Sequence, residues 1–302
     1  MKVTALAGGV GGAKLLVGLA RVQEDLTAVV NTADDTEIYG VLVSPDLDIV
    51  TYWLAGMADH TRGWGIQGDT FETVGALGRL GEATWFSLGD RDFATCLLRT
   101  SRLAAGATLS EITDQLRRRL GVAVRLLPMS DDAVRTFITT ADGRVLGFQE
   151  YFVKERQEPP VAGVELRGVS EAAPAPGVLK ALRDADTIAL CPSNPVVSVG
   201  PILGLSEVRD TLVAHPRVVA VSPIIQGKPL KGPADKLMSA VGAEVSAFGV
   251  AEMYRDFVDV FVIDNLDSGE AARIEGLGIE VIVTDTVMNE AADSERLAKA
   301  IL

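Results

Sequence analysis

Short runs of apolar, mostly β-branched residues recur along the chain: Lys2–Ala7, Leu26–Asn31, Val122–Leu127, Thr187–Cys191, Arg217–Val221, Asp259–Ile263 and Glu280–Val283. Runs this short whose interiors are largely apolar suit strands buried on both faces of a parallel sheet. An apolar helix over Ala13–Ala20 joins the first two runs, so the chain opens with a βαβ unit. Ser44-Pro45 reads as the cap and first position of another helix. Asp69-x-x-Glu72 and Thr108-x-x-Glu111 have capping-box spacing and predict two more helix starts. Arg135–Thr140 and Val145–Glu150 flank Asp142-Gly143, a hairpin signal. Residues near 154–177 are rich in Pro, Gly and Glu and predict a crossing segment with one strand, Val164–Val169. Strand–helix alternation at both ends, with helices between, predicts one α/β domain over residues 1–302. The expected fold is Rossmann-like and doubly wound: a mainly parallel sheet in three αβα layers, with a helical insertion near residues 45–120.

Composition narrows the chemistry. Hydrophobic residues make up 48% of the chain but aromatic ones only 5%, so Val, Leu, Ile and Ala must fill the core. The net charge of −13 repels polyphosphate backbones and argues against nucleic-acid partners. No apolar run approaches the ~18 residues of a membrane span. With two cysteines and no secretory segment before Lys2, a reduced, cytoplasmic location is expected. His60 and His215 are too few and too far apart for a zinc site.

Several segments carry candidate chemistry. Gly8-Gly9-Val10-Gly11-Gly12-Ala13-Lys14 stands between a strand and a helix, where backbone amides can approach an anion. It is neither a dinucleotide fingerprint, since Lys14 takes a glycine's place, nor a Walker A loop, since Ala13 separates Gly12 from Lys14. It is either a phosphate cradle or a plain tight turn. Asp34, Asp35, Asp46 and Asp48 offer hard oxygen ligands to Mg²⁺, although acids at a helix start also suit the dipole. Trp64-Gly65 either stacks on a flat ring or covers the core. Ser87–Asp92 and Met129–Asp132 place polar groups at element ends. Cys191-Pro192-Ser193-Asn194-Pro195 fixes a turn after a buried strand, and Lys228, Lys231 and Lys236 cluster in a loop that reads as an anion pocket.

These segments together resemble the 2-phospho-L-lactate transferases that build the deazaflavin carrier coenzyme F420. The resemblance runs through the Gly-rich turn, Asn31–Asp35, Ser44–Asp48, Leu88–Asp92, Ser130–Asp132, Pro192–Pro201 and Ser222–Lys236. It implies that the terminal ribityl hydroxyl of the deazaflavin FO attacks the phosphorus bearing lactate or enolpyruvate in a lactyl- or enolpyruvyl-diphosphoguanosine. GMP departs, and Mg²⁺ offsets the charge. Asp48 becomes the catalytic residue. Asp48, Ser87, Trp64, Gly65 and Asn31 are assigned to the deazaflavin, although archaeal members commonly carry lysine at the position of Ser87. Gly9, Gly11, Gly12, Lys14, Ser193, Asn194, Lys228 and Lys231 are assigned to the donor, and Asp34, Asp35, Asp46 and Asp48 to the metal. A homodimer is the expected assembly. The gluconeogenesis-factor family, which binds nucleotide sugars without transfer chemistry, is the second resemblance. A nicotinamide oxidoreductase is a more distant third.

Overall fold

The computed structural model describes residues 1–302. Seven strands form the central sheet: β1 (Lys2–Ala7), β2 (Asp25–Val30), β3 (Arg125–Pro128), β4 (Thr187–Leu190), β5 (Val218–Val221), β6 (Val260–Asp264) and β7 (Glu280–Thr284). They lie in the order β7-β6-β5-β4-β1-β2-β3, and every pairing is parallel. This is the doubly wound arrangement expected. Alternate residues serve opposite faces, as pleating requires. Leu6, Val29, Ile188, Leu190, Val218 and Ala220 enter one core, whereas Ala5, Ala7, Ala28, Val30, Ala189 and Val219 enter the other. Helix α1 (Gly9–Val22) and the C-terminal helix Ala291–Ile301 cover the second face with Leu15, Leu16, Leu19, Leu297 and Ile301. Helices within 178–253 cover the first. No helix is long and apolar enough to cross a membrane.

Between β2 and β3 lie four helices: α2 (Pro45–Leu54), α3 (Glu72–Arg79), α4 (Asp90–Ala104) and α5 (Leu109–Arg119). A short hairpin, Thr36–Ile38 with Val41–Val43, precedes them. Ile38, Val41, Val43, Val74, Leu88 and Cys96 give this insertion a small core of its own. The capping box at Thr108 and Glu111 forms as spaced. The one at Asp69 does not, because α3 starts three residues later. Asp69 instead accepts the backbone amides of Arg91 (3.0 Å) and Asp92 (3.1 Å) at the start of α4. Asp90 in turn accepts those of Glu72 (3.0 Å) and Thr73 (2.9 Å) at the start of α3. Each helix is therefore capped by a residue beside the other.

The Asp142-Gly143 hairpin joins Arg135–Thr140 to Val145–Gly147, and Val161–Arg167 adds a third antiparallel strand. Two expectations shift here. The strand foreseen over Val145–Glu150 stops at Gly147, because the chain coils into a wide helical turn over Glu150–Lys154. The later strand begins at Val161 rather than Val164.

Candidate functional site

The sheet order reverses at the adjacent strands β1 and β4, and their carboxyl ends open a crevice, where doubly wound folds bind ligands. A cavity of about 570 Å³ occupies it. Its floor is the Gly-rich turn after β1 and the Pro192–Asn194 turn after β4. The insertion supplies one wall, and Phe148, Phe152 and Val153 supply another. Phe148 and Phe152 stack at 5.6 Å, an apolar surface that the coiling after Gly147 creates.

The two turns lock together. The Ser193 hydroxyl donates to the Gly8 carbonyl (2.8 Å) and accepts the Gly8 amide (3.0 Å). A Cβ on Gly8 would lie 2.5 Å from Asp46 Oδ2 and 2.7 Å from Ser198 Cβ, so no larger residue fits without displacement. The Gly9 amide donates to Asp46 Oδ1 at 2.8 Å. Val10 and Gly11, in the first turn of α1, line the cavity with amides that have no intrahelical acceptor. Gly12 is buried behind them, where a Cβ would meet Ser193 Oγ at 2.8 Å. Asn194 also lines the cavity, but its Oδ1 caps the helical turn Pro195–Val199 by accepting the amides of Val196 and Val197.

The four acids foreseen as metal ligands separate into distinct positions. Asp34, Asp46 and Asp48 face the cavity. Asp35 does not: it is buried, accepts the Ser44 hydroxyl at 2.7 Å, and burial lifts its carboxyl to about 7. Ser44 is thus tied to Asp35 rather than capping α2. Asp46 is clamped between the Gly9 amide and Asn31 Nδ2 (2.9 Å). Asn31 is fully buried and acts on the site through Asp46, while its Oδ1 accepts the Ala33 amide. Burial raises the carboxyls of Asp34, Asp46 and Asp48, with Asp46's charge adding to the rise at Asp34. Asp34 Oδ1 is buried and has no hydrogen-bond partner.

Asp48 pairs with Arg99, which is 2% exposed and bonds both Asp48 oxygens through its two Nη groups. Arg99 also donates to the Leu42 carbonyl. Asp92, Cys96 and Arg99 lie on one buried face of α4, at i, i+4 and i+7. Asp92 lines the cavity and accepts the Tyr52 hydroxyl at 2.8 Å. Burial, then the charge of Asp48, pushes its carboxyl up to about 7. The sequence reading missed Arg99, Tyr52 and the role of Asp92. The available signal was Asp92 and Arg99 at i and i+7 on one face of α4, with Cys96 between them.

A carboxyl raised in the fold favours folding while it is protonated. That contribution is complete below the ordinary carboxylate value of about 4 and is lost as pH rises through about 7. Asp92→Asn should therefore show a flatter fall of urea midpoint than the parent between about pH 5 and about pH 8. Parallel curves would mean that Asp92 titrates as an ordinary surface carboxylate.

The cations and aromatics also separate. Lys231 lines the cavity, with Nζ 2.7 Å from where a Cβ on Gly63 would stand. Lys228 does not line it: it sits exposed on the hairpin Ile224–Ile225/Lys228–Pro229, which turns it away. Lys14 is also absent from the lining. Its Nζ donates to the Met288 carbonyl at 2.6 Å, tying α1 to the loop before the C-terminal helix. Trp64, 37% exposed, and Gly65 line one rim, and the exposed Ser87 lines another.

Residues 3–298 match the profile of the family described as 2-phospho-L-lactate transferase CofD. The chain is 45% identical over 298 residues to a 2-phospho-L-lactate transferase of Methanosarcina mazei, covering 98% of both chains. It is 41% identical over 311 residues to a phosphoenolpyruvate transferase of Kitasatospora aureofaciens, covering 100% of this chain and 97% of that one. A crystal structure of a UPF0052-family protein from Bacillus halodurans superposes with a TM-score of 0.65 at 17% identity, covering 99% and 98% of the two chains, and so shares the fold. Taken with a cavity at the switch point of a doubly wound sheet, these likenesses place the chain in the 2-phospho-L-lactate transferase CofD family.

Proposed function

We propose that this CofD-type transferase moves a 2-phospho-L-lactyl or phosphoenolpyruvyl group from its guanosine diphosphate ester to the terminal ribityl hydroxyl of the deazaflavin FO, releasing GMP in coenzyme F420 biosynthesis. One observation supports the reading best: a single cavity is lined both by cationic and amide donors, from Lys231 and the start of α1 at Val10 and Gly11, and by the buried acids Asp34, Asp46, Asp48 and Asp92. The two sets meet where the Gly9 amide bonds Asp46. Relatives named for both transferred groups support the donor class.

The hydroxyl oxygen attacks the phosphorus that bears the organic acid, and the bond from that phosphorus to the GMP oxygen breaks. Asp48, held at both oxygens by Arg99, is fixed to accept the hydroxyl's hydrogen bond and its proton. The helix-terminal amides and Lys231 bear on the diphosphate, so catalysis rests on positioning and charge neutralisation. The acid set fits a hard divalent cation: Asp34 Oδ1 is buried without a partner, and Asp46 faces the same cavity. Asp34 and Asp46 are the residues that would hold Mg²⁺, which when bound offsets diphosphate charge.

The test supplies FO with each guanosine diphosphate ester in Mg²⁺ buffer and follows GMP and the deazaflavin product by mass spectrometry. Stoichiometric GMP and product from one ester is the expected result, abolished by excess chelator. Binding without GMP release would return the chain to a regulator of the gluconeogenesis-factor kind. The lysine loop offers a second check. Lys231→Gln should weaken GDP binding about tenfold, as loss of one charged hydrogen bond does. Lys228→Gln should leave it within about twofold, because Lys228, exposed like Lys231, lies outside the cavity lining. Equal losses in calorimetric titration would place both ammonium groups on the donor.

A further inference from the structure

Apart from Lys231, the cavity has one other cation in its lining, Arg62, and the transfer outlined above gives it no task. Arg62 sits at the tip of a closed loop. Ala58 bridges Ile66, the Asp59 amide donates to the Gly65 carbonyl (3.1 Å), and the Gly63 amide donates to the Asp59 carbonyl (2.7 Å). The Asp59 carboxylate accepts the backbone amides of Thr61 and Arg62, each at 3.0 Å, and closes the turn again from inside.

The guanidinium is held as firmly as the loop. Its carbon lies 4.9 Å from the centre of the Trp64 ring and 5.2 Å from that of Phe71. Nη2 donates to the Ile66 carbonyl (3.1 Å) and pairs with Asp59 (3.0 Å). Nη1 makes no hydrogen bond within the protein, and Nε is shielded from solvent without an acceptor. Nη1 is therefore the donor left for an anion in the cavity, on a guanidinium whose orientation is fixed before binding. A Cβ on Gly63, the residue next to Arg62, would meet Lys231 Nζ at 2.7 Å and the Val10 side chain at 3.5 Å, so the loop that carries Arg62 borders both Lys231 and the Gly-rich turn.

We propose that Arg62 is a specificity-determining residue that binds the carboxylate of the organic acid being transferred. The inference rests on the guanosine diphosphate donor proposed above. A carboxylate-bearing ester should then be preferred over GDP or an ester without that group, since only the former brings a carboxylate to Arg62 Nη1. The Arg62 contacts are fixed by Asp59, Ile66 and the two rings, so selection needs little side-chain ordering on binding.

The test titrates three probes into the enzyme: GDP, the lactyl ester of GDP, and the ethyl ester of GDP, which lacks the carboxylate. The parent should bind the lactyl ester about tenfold or more tightly than the ethyl ester, as one charge-assisted contact allows. Arg62→Gln should erase that gap while changing GDP affinity by less than about threefold, and Arg62→Lys, which keeps the charge and stem but not the fork, should restore part of it. A gap that survives Arg62→Gln overturns the proposal. So does a GDP loss equal to the lactyl-ester loss, which would put Arg62 on the diphosphate. Failure of the parent to bind GDP and both esters would instead remove the donor reading, and the inference with it.

Discussion

Replacing Arg99 by Met is expected to destabilise the fold by about 3–5 kcal/mol, the scale seen when one partner of a buried ion pair is removed. The size follows from what remains. Asp48 is buried, and Arg99 is the cation that bonds both of its oxygens. Without it the carboxylate must stay charged in a poorly solvated site or take up a proton. The Leu42 carbonyl would lose a donor as well. Chemical denaturation near pH 8 checks the value, and a loss below about 1 kcal/mol would mean that water or another group already solvates Asp48. The double change Arg99→Met with Asp48→Leu should recover much of the stability, because removing both charges avoids the desolvation cost. It should abolish turnover all the same, which separates the contribution of the pair to the fold from its contribution to the reaction.

The second large effect is expected at Gly8. Gly8→Ala should cut turnover by about 10²-fold, the cost of displacing a positioned group by about 1 Å. The added methyl would meet Asp46 Oδ2 at 2.5 Å and Ser198 Cβ at 2.7 Å. Relieving the first overlap by moving the Asp46 carboxylate breaks its bonds to the Gly9 amide and Asn31 together. Steady-state kinetics beside a thermal melt decides the matter. A large drop in kcat with a small change in Tm is expected, whereas near-normal turnover would show that Asp46 need not hold its place.

The frame was legible because its signals are local. Lys2–Ala7 carries its own apolar run, Thr108 and Glu111 cap the helix that they begin, and Asp142-Gly143 turns the hairpin that it interrupts. Once the βα alternation is read, the crevice between β1 and β4 follows, and with it the places of Gly9, Gly11, Ser193 and Asn194. What escaped is pairing between distant positions. Nothing near Asp48 announces Arg99, fifty-one residues on, and nothing in the Gly-rich turn says that Lys14 will serve the Met288 carbonyl. Lys228 and Lys231 look alike in sequence, but a two-residue hairpin separates their directions. Asp69 and Glu72 have the spacing of a local cap, yet each bonds elsewhere, because the better acceptor for each helix end comes from the neighbouring helix.

That exchange of caps between α3 and α4 works as a pair of interlocking clasps. Both fastenings belong to residues 69–92, so the insertion carries its own lock and borrows none from the sheet. The exposed link Leu80–Thr84 closes α3 through the amides of Leu80, Gly81 and Glu82, and it takes no part in the clasps. Substitution beyond that cap, at Ala83 and Thr84, would reach the rim around Phe86 and Ser87 before it reached the clasps. Asp92, whose own amide is one of the clasped groups, stays where it is. A change at this edge would alter what the mouth of the cavity admits before it disturbed the buried acids below.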